Sequence, residues 1–147
     1  MNTEDTSSTD RPSADWAGAH APSLEDFEVL GRAAYDGLAV EFRRLIGDIV
    51  IRVADFPEDE VLDELGIESE FGLLGLFQGV GLAHGAATPM TGQMPNMIWL
   101  YRRPILDYWA EHEETLGHVV SHVLIHEIGH HFGLSDDDME GIEAAAG

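Results

Sequence analysis

The chain has 147 residues, a length that fits one domain with a core of adequate size. Its 28 acidic and 7 basic side chains give a formal net charge of −21, which argues against binding to nucleic acid or to an anionic membrane surface. The chain has no cysteine, which excludes disulfide bonds and thiolate metal sites.

The sequence predicts one folded domain behind an acidic tail. Residues 1–22 are rich in Ser, Thr, Asp and Pro and are predicted to be disordered, whereas residues 23–147 are predicted to form the domain. The sequence contains no basic segment followed by an apolar run and no stretch of transmembrane length. We therefore expect a cytoplasmic protein.

The first helix of the domain is predicted to begin at Ser23, because Asp26 three residues later completes a pattern like a capping box. Apolar residues at helical spacing extend this helix to about Leu45. They are Phe27, Leu30, Ala34, Leu38, Phe42 and Leu45.

Two short elements are predicted to follow the first helix. Residues 48–54 contain a run of β-branched side chains, which is typical of a buried strand. Phe56 and Pro57 are predicted to turn the chain, and residues 58–65 to form a short acidic helix.

Five glycines between Gly72 and Gly85 raise the question of a phosphate-binding loop. Such a loop needs a helix start after the glycines and, in the Walker form, a Lys-Ser/Thr pair, and neither follows here. We interpret residues 73–78 as a strand and residues 83–95 as a loop that can cover a cleft. The next strand is predicted at residues 98–101.

Arg102 and Arg103 stand out in a chain with few basic residues. They can bind the carboxylate of a substrate, or they can pair with the surplus acidic side chains of the chain itself. General experience with surface charges favours the second interpretation.

A long amphipathic helix is predicted from about Glu113 to Phe132. Thr115 or Glu113 can mark its start, and Gly133 is placed to end it in the left-handed conformation, with Leu134 packing back. Its apolar residues at helical spacing are Leu116, Val119, Val120, Val123, Leu124, Ile128 and Phe132.

This helix contains the sequence His126-Glu127-Ile128-Gly129-His130. Two positions four residues apart on an α-helix lie roughly 40° apart around the axis and about 6 Å apart along it, so both imidazoles can reach one ion. Glu127 follows the first imidazole, where its carboxylate can face a water on the metal. The pattern H-E-x-x-H on an amphipathic helix therefore predicts a zinc site with a general base, in preference to a polar stripe on a surface helix.

Asp136 is the candidate for a third metal ligand. It follows the helix-ending Gly133 by three residues, so the chain can bend and return its carboxylate to the ion. Alternatively, Ser135 or Asp136 simply caps a last short helix, from residue 137 to about 145, and these two roles are compatible. Asp137 and Asp138 compete with Asp136 for either role.

Further histidines surround the motif. His118 and His122 continue the series of imidazoles at spacing four, which drifts about 40° per step. His122 can support a metal ligand, but a partly buried helix residue with an ordinary hydrogen bond is the preferred interpretation. We expect His118 to be exposed, and His131 to point too far from His130 to bind the same ion.

The string from His126 to Asp136 resembles the extended H-E-x-x-H-x-x-G-x-x-D signature of aspartate-type zincins. Together with residues 73–79 and 98–105, it resembles the small bacterial zincin-like metallopeptidase family of minimal size. The likeness covers roughly Ser23 to the C-terminus, and the metal motif is its specific part.

The resemblance implies an α+β fold, in which a small mixed sheet packs on the N-terminal helix and on the helix of the motif. It implies an edge strand that borders the cleft. It also implies zinc held by His126, His130 and Asp136, with Glu127 as general base and acid. No tyrosine follows the motif, so a phenol that assists the reaction would have to be Tyr101 or Tyr108.

Two classes of function fit these observations. The first is a zinc-dependent peptidase that binds a peptide or unfolded protein, extended along a sheet edge offered by residues 96–102 or 73–78. The second is a noncatalytic, zinc-stabilised module that binds an extended peptide or a protein partner. Glu127 favours the first class, because a purely structural site needs no base.

Overall fold

The computed structural model describes residues 16–79 and 96–146. Within these residues six α-helices and a three-stranded mixed sheet confirm the predicted α+β architecture. The elements in chain order are α1 Leu24–Asp36, α2 Val40–Ile46, β1 Ile49–Ala54, α3 Asp59–Leu65, a 3₁₀ turn Glu70–Gly72, β2 Gly75–Gln78, β3 Asn96–Tyr101, α4 Arg102–Ala110, α5 Leu116–His131 and α6 Asp136–Ala146. The predicted lid, residues 83–95, and most of the predicted tail lie outside the described residues.

The strand order in the sheet is β1-β3-β2. β3 is parallel to β1 and antiparallel to β2, with Leu100 opposite Gly75. β3 is therefore the central strand, and among the described strands β1 and β2 each have a neighbour on one side alone. Of the two segments predicted to offer a sheet edge, residues 96–102 contain the central strand β3, and residues 73–78 contain the edge strand β2.

The predicted helix over residues 23–45 is correct at its start and wrong in its continuity. Ser23 and Asp26 form a capping box, in which the Ser23 hydroxyl accepts from the Asp26 amide and the Asp26 carboxylate accepts from the Ser23 amide. α1 ends before Gly37, and α2 starts three residues later. The break changes which side chains face the core, so Leu45 is 50% exposed and Ile46 is 4% exposed.

α5 is the central helix of the domain. Its buried side chains pack against α1, against the sheet and against α6. Its N-cap is Thr115, whose hydroxyl accepts from the amide of His118. α4 was not predicted from the sequence; it starts immediately after β3 and places Pro104 in its first turn, where a proline disrupts little.

The turn after α5 has the predicted left-handed glycine, Gly133, with a φ of 74°. The amide of Leu134 donates to the carbonyl of Gly129, and the amide of Gly133 donates to that of His130. This pair of bonds is a Schellman motif. It reverses the chain direction, so that α6 packs back against α5. No helix in the described part of the chain is long and apolar enough to span a membrane.

Candidate metal centre

The two imidazoles of the motif lie on one side of α5. The ring centroids of His126 and His130 are 5.9 Å apart, and the ring planes are nearly perpendicular. Neighbouring residues Ile125 and Ile128 are fully buried in the core, which fixes the orientation of the helix. The helix therefore presents the pair of imidazoles that the spacing predicts.

The surroundings of His126 favour its neutral form. Burial lowers the pKa of the His126 imidazole below its ordinary value, and the nearby His122 acts in the same direction. The neutral ring has the free lone pair that a metal ligand needs, so this shift favours ligation.

The side chain of Glu127 projects from α5 towards the edge strand β2. A β-carbon built on Gly75 of β2 would be 3.4 Å from the Cγ of Glu127, so the strand passes directly over this side chain. Burial raises the pKa of the Glu127 carboxyl, and the charge of His130 opposes the rise. A carboxyl with a raised pKa is a better proton acceptor, as a general base requires.

Asp136 is the first residue of α6, and it is exposed. The cap of α6 is Ser135, which forms a capping box with Asp138 through bonds of 3.0 and 3.2 Å. Of the alternatives in the sequence, capping therefore falls to Ser135, and the carboxylate of Asp138 is engaged in it. Asp136 as a metal ligand stays a prediction.

A carboxylate that was not predicted from the sequence faces the motif. Glu143 of α6 has an Oε2 atom 2.7 Å from the Nδ1 atom of His122, and its Oε1 atom is 3.7 Å from the Nε2 atom of His126. One ligand atom from each of these three side chains lies within 4.8 Å of the other two, so the group can hold a metal ion. It shares His126 with the predicted set and includes neither His130 nor Asp136.

Of the other histidines on α5, His118 and His122 lie near Glu143, and His131 lies near Phe77. His118 is exposed, as expected, and its Nε2 atom lies 3.9 Å from Glu143. The ring of His131 packs against that of Phe77 at 4.4 Å between centroids. His122 has the partly buried position and the hydrogen bond that were preferred for it, and the partner is Glu143.

The donors along α5 and α6 fit zinc. Neutral imidazoles and carboxylates are zinc ligands, and two imidazoles with one carboxylate leave a fourth position for a water or a substrate. The described residues offer this combination in His122, His126 and Glu143, and Asp136 stays the carboxylate predicted from the sequence.

Tyr101 lies at the end of β3 and is 3% exposed, and its ring stacks on that of Trp99 on the sheet face that points away from α5. Burial raises its pKa to about 12, and the charges of Glu58 and Glu127 add to the rise. The phenol therefore keeps its proton at neutral pH. The other tyrosine considered, Tyr108, stacks on His112 with 3.8 Å between the ring centroids.

The two arginines after β3 are engaged within the protein. Arg102 donates to Asp55 at 2.9 Å and to the carbonyl of Pro22 at 2.6 Å. The guanidinium of Arg103 lies 5.4 Å from the centroid of the Phe56 ring. For Arg102 the favoured interpretation, pairing with an acidic side chain, is confirmed.

A cavity of about 310 Å³ opens on the sheet face that points away from α5. Leu76 and Gln78 of the edge strand line it, together with Trp99 and Tyr101 of β3. The indole of Trp99 donates to the side chain of Gln78 at 3.2 Å. The cavity thus adjoins β2, an edge strand of the sheet among the described residues.

Comparison with known proteins gives one family. The family model described as zincin-like metallopeptidase matches residues 46–146, which is more than half of the chain and includes β1 to α6. No curated protein matches the chain.

Proposed function

The chain belongs to the zincin-like metallopeptidase family, and on that premise we propose that it is a zinc-dependent peptidase with Glu127 as its general base. Membership of the family implies zinc and suggests peptidase activity. The observation that carries the assignment of the base is the position of Glu127, next to His126 on α5 and beneath the edge strand. A metal site with a purely structural role needs no such carboxylate.

In this proposal His126, His130 and Asp136 hold the ion. When bound there, zinc supplies a Lewis acid that polarises a peptide carbonyl and makes a water molecule more acidic. Two constraints on these residues support the assignment: α5 is held by its buried side chains, and the Schellman motif at Gly133 fixes where α6 begins. The ligands are thus presented by elements with defined positions.

Glu127 moves the proton. Its carboxylate takes a proton from the attacking water and then delivers that proton to the leaving amine. Burial beside β2 raises its pKa, which brings its proton affinity nearer to that required at neutral pH.

The substrate is proposed to be an extended peptide that pairs with β2. Backbone hydrogen bonds to the side of this strand that has no partner among the described strands would fix the peptide beside Glu127, because Gly75 lies against that side chain. Alternate side chains of a paired peptide point to opposite faces of the sheet. One set would then lie near the cavity lined by Leu76 and Trp99, where apolar side chains are favoured.

The replacement Glu127→Gln tests this proposal. The amide has nearly the same shape but cannot accept the proton, so we expect hydrolysis of a broad peptide library to fall by about 100-fold or more, with unchanged zinc content. Glu140→Gln is the matched control, since Glu140 is an exposed residue of α6. A zinc chelator should abolish the activity of the wild type.

Two results would contradict the proposal. Activity that survives Glu127→Gln would show that the base is another group. Absence of cleavage by a wild-type protein that contains one zinc ion per chain would favour the second class of function, a noncatalytic module that binds peptides.

A further inference from the structure

We propose that His122, His126 and Glu143 form a second binding position for a divalent transition-metal ion, and that this position and the set His126, His130 and Asp136 cannot be occupied together. The second position does not depend on peptidase activity. The mutual exclusion rests on the metal set of the proposed function, because His126 belongs to both groups.

The first support is the geometry of the three side chains. The rings of His122 and His126 are 4.1 Å apart between centroids, closer than those of His126 and His130. The carboxylate of Glu143 reaches both rings, at 2.7 Å from His122 and 3.7 Å from His126. Separations of this size allow one ion to replace the direct contacts after small changes in side-chain torsions.

The second support is the way in which α6 packs on α5. Met139 lies against Gly129, and four residues later Glu143 lies against His122, so the two helices run in opposite directions. Asp136 precedes Glu143 by seven residues, about two turns, and therefore lies on the same side of α6. Glu143 thus lies beside His122, and Asp136 lies about two turns back along α6, at the end of this helix that follows the turn at Gly133.

The third support is access from solvent. A cavity of about 280 Å³ is lined by His118, Ser121 and Glu143, so an ion can reach the carboxylate directly. The Glu143 side chain itself is 16% exposed, which makes it a partly desolvated ligand. Two imidazoles and one carboxylate suit Zn²⁺, Co²⁺, Ni²⁺ or Cu²⁺, whereas Mg²⁺ and Ca²⁺ prefer sites made of oxygen atoms.

Mutual exclusion follows from the shared ligand. A ring nitrogen of His126 has one lone pair, and the ring can serve two ions together only by losing its remaining proton, which is unfavourable at neutral pH. The chain is therefore expected to hold one ion, which is distributed between two positions along α5. An ion at the second position would leave His130 and Asp136 without a shared partner.

The experiment measures metal binding and needs no substrate. Purified protein without metal is titrated with Co²⁺ and with Zn²⁺ at pH 7, and affinity, stoichiometry and the visible absorption of bound Co²⁺ are recorded. Two backgrounds, Asp136→Ala and His130→Ala, each break the first set, and Glu143→Gln and His122→Ala are added to each. His112→Ala is the matched control, since His112 is an exposed histidine outside both groups.

We expect one ion per chain in the wild type. Both backgrounds should still bind one Co²⁺ ion, with an altered absorption spectrum. Adding Glu143→Gln or His122→Ala should weaken binding by about tenfold or more, because loss of a direct ligand costs at least as much as loss of a residue that supports one. His112→Ala should bind like the wild type.

Three results would overturn the inference. Loss of binding in both backgrounds, with folding unchanged by circular dichroism, would leave Glu143 and His122 as a hydrogen bond between helices. Unchanged affinity after the added Glu143→Gln would show the same. Two ions bound to the wild type would refute mutual exclusion. The single variant Glu143→Gln, in an otherwise wild-type chain, is compared with Asp136→Ala. If Glu143→Gln removes the metal while Asp136→Ala does not, the second position stands and the first set fails.

Discussion

Gly75 of the edge strand β2 lies directly against the side chain of Glu127 where the sheet packs on α5. A β-carbon on Gly75 would lie 3.4 Å from the Cγ of Glu127, 2.8 Å from the Cγ1 of Val123 and 3.0 Å from the carbonyl oxygen of Trp99. The last contact is with backbone and cannot relax by rotation of a side chain. The absence of a side chain at residue 75 therefore sets how closely the edge strand approaches the proposed base.

Gly75→Ala is expected to push β2 away from α5. Overpacking of this kind costs about 1–3 kcal/mol, and we expect a fall of that size in the free energy of unfolding. Urea denaturation measures it. Gly117→Ala is the control, because a β-carbon at Gly117 meets nothing within 4 Å. Equal stability of the Gly75→Ala protein and the wild type would contradict the close approach.

Gly129→Ala is expected to separate α6 from α5. A β-carbon at this position would overlap the Sδ of Met139, which is fully buried and has little room to move. We expect a loss of about 1–3 kcal/mol in the free energy of unfolding. A double-mutant cycle with Met139→Ala should recover part of the loss of Gly129→Ala, and simple additivity of the two changes would argue against this contact.

Alkaline pH is expected to destabilise the protein through Tyr101. Burial raises the pKa of Tyr101 to about 12, so its contribution to stability is complete below the ordinary value near 10 and is lost as pH rises towards 12. The loss should reach about 3 kcal/mol at most, since each pKa unit corresponds to about 1.4 kcal/mol. Denaturation midpoints from pH 9 to 12 should fall less steeply in Tyr101→Phe. Equal slopes in the two proteins would contradict this assignment.

Zinc is expected to raise the unfolding temperature of the metal-free protein. A ligand present at about 100 times its dissociation constant adds about 2.7 kcal/mol to the stability, if it binds the folded state alone. Thermal unfolding with zinc and with a chelator measures the shift. His126→Ala should abolish it, because His126 belongs to both groups of ligands. A shift of equal size in that variant would place the zinc elsewhere.

Local signals in the sequence account for the elements that were predicted correctly. β1 has its run of β-branched residues, and α5 has its apolar stripe and its Thr115 cap. Gly133 was predicted to be left-handed from its position after the stripe, and its φ is 74°. The pair His126 and His130 is set by the helix repeat alone. These features depend on residues that are close in sequence.

The features that were missed depend on packing between distant residues. The break of the first helix at residues 37–39 lets α2 turn its apolar side to the core, although the apolar spacing continues across it. The central place of β3 results from strand pairing with β1 and β2. Glu143 faces His122 because α6 folds back along α5, although the spacing of seven from Asp136 could have suggested that both acids share a side of that helix.

A single connection joins α6 to the histidines that it faces. The Schellman turn at Gly133 is followed by the segment that contains both Asp136 and Glu143, whereas every imidazole discussed precedes it. A protease that cut this turn would therefore divide the chain between the imidazoles and both of these carboxylates, and α6 would then be held to α5 by noncovalent contacts alone, through side chains such as the buried Met139.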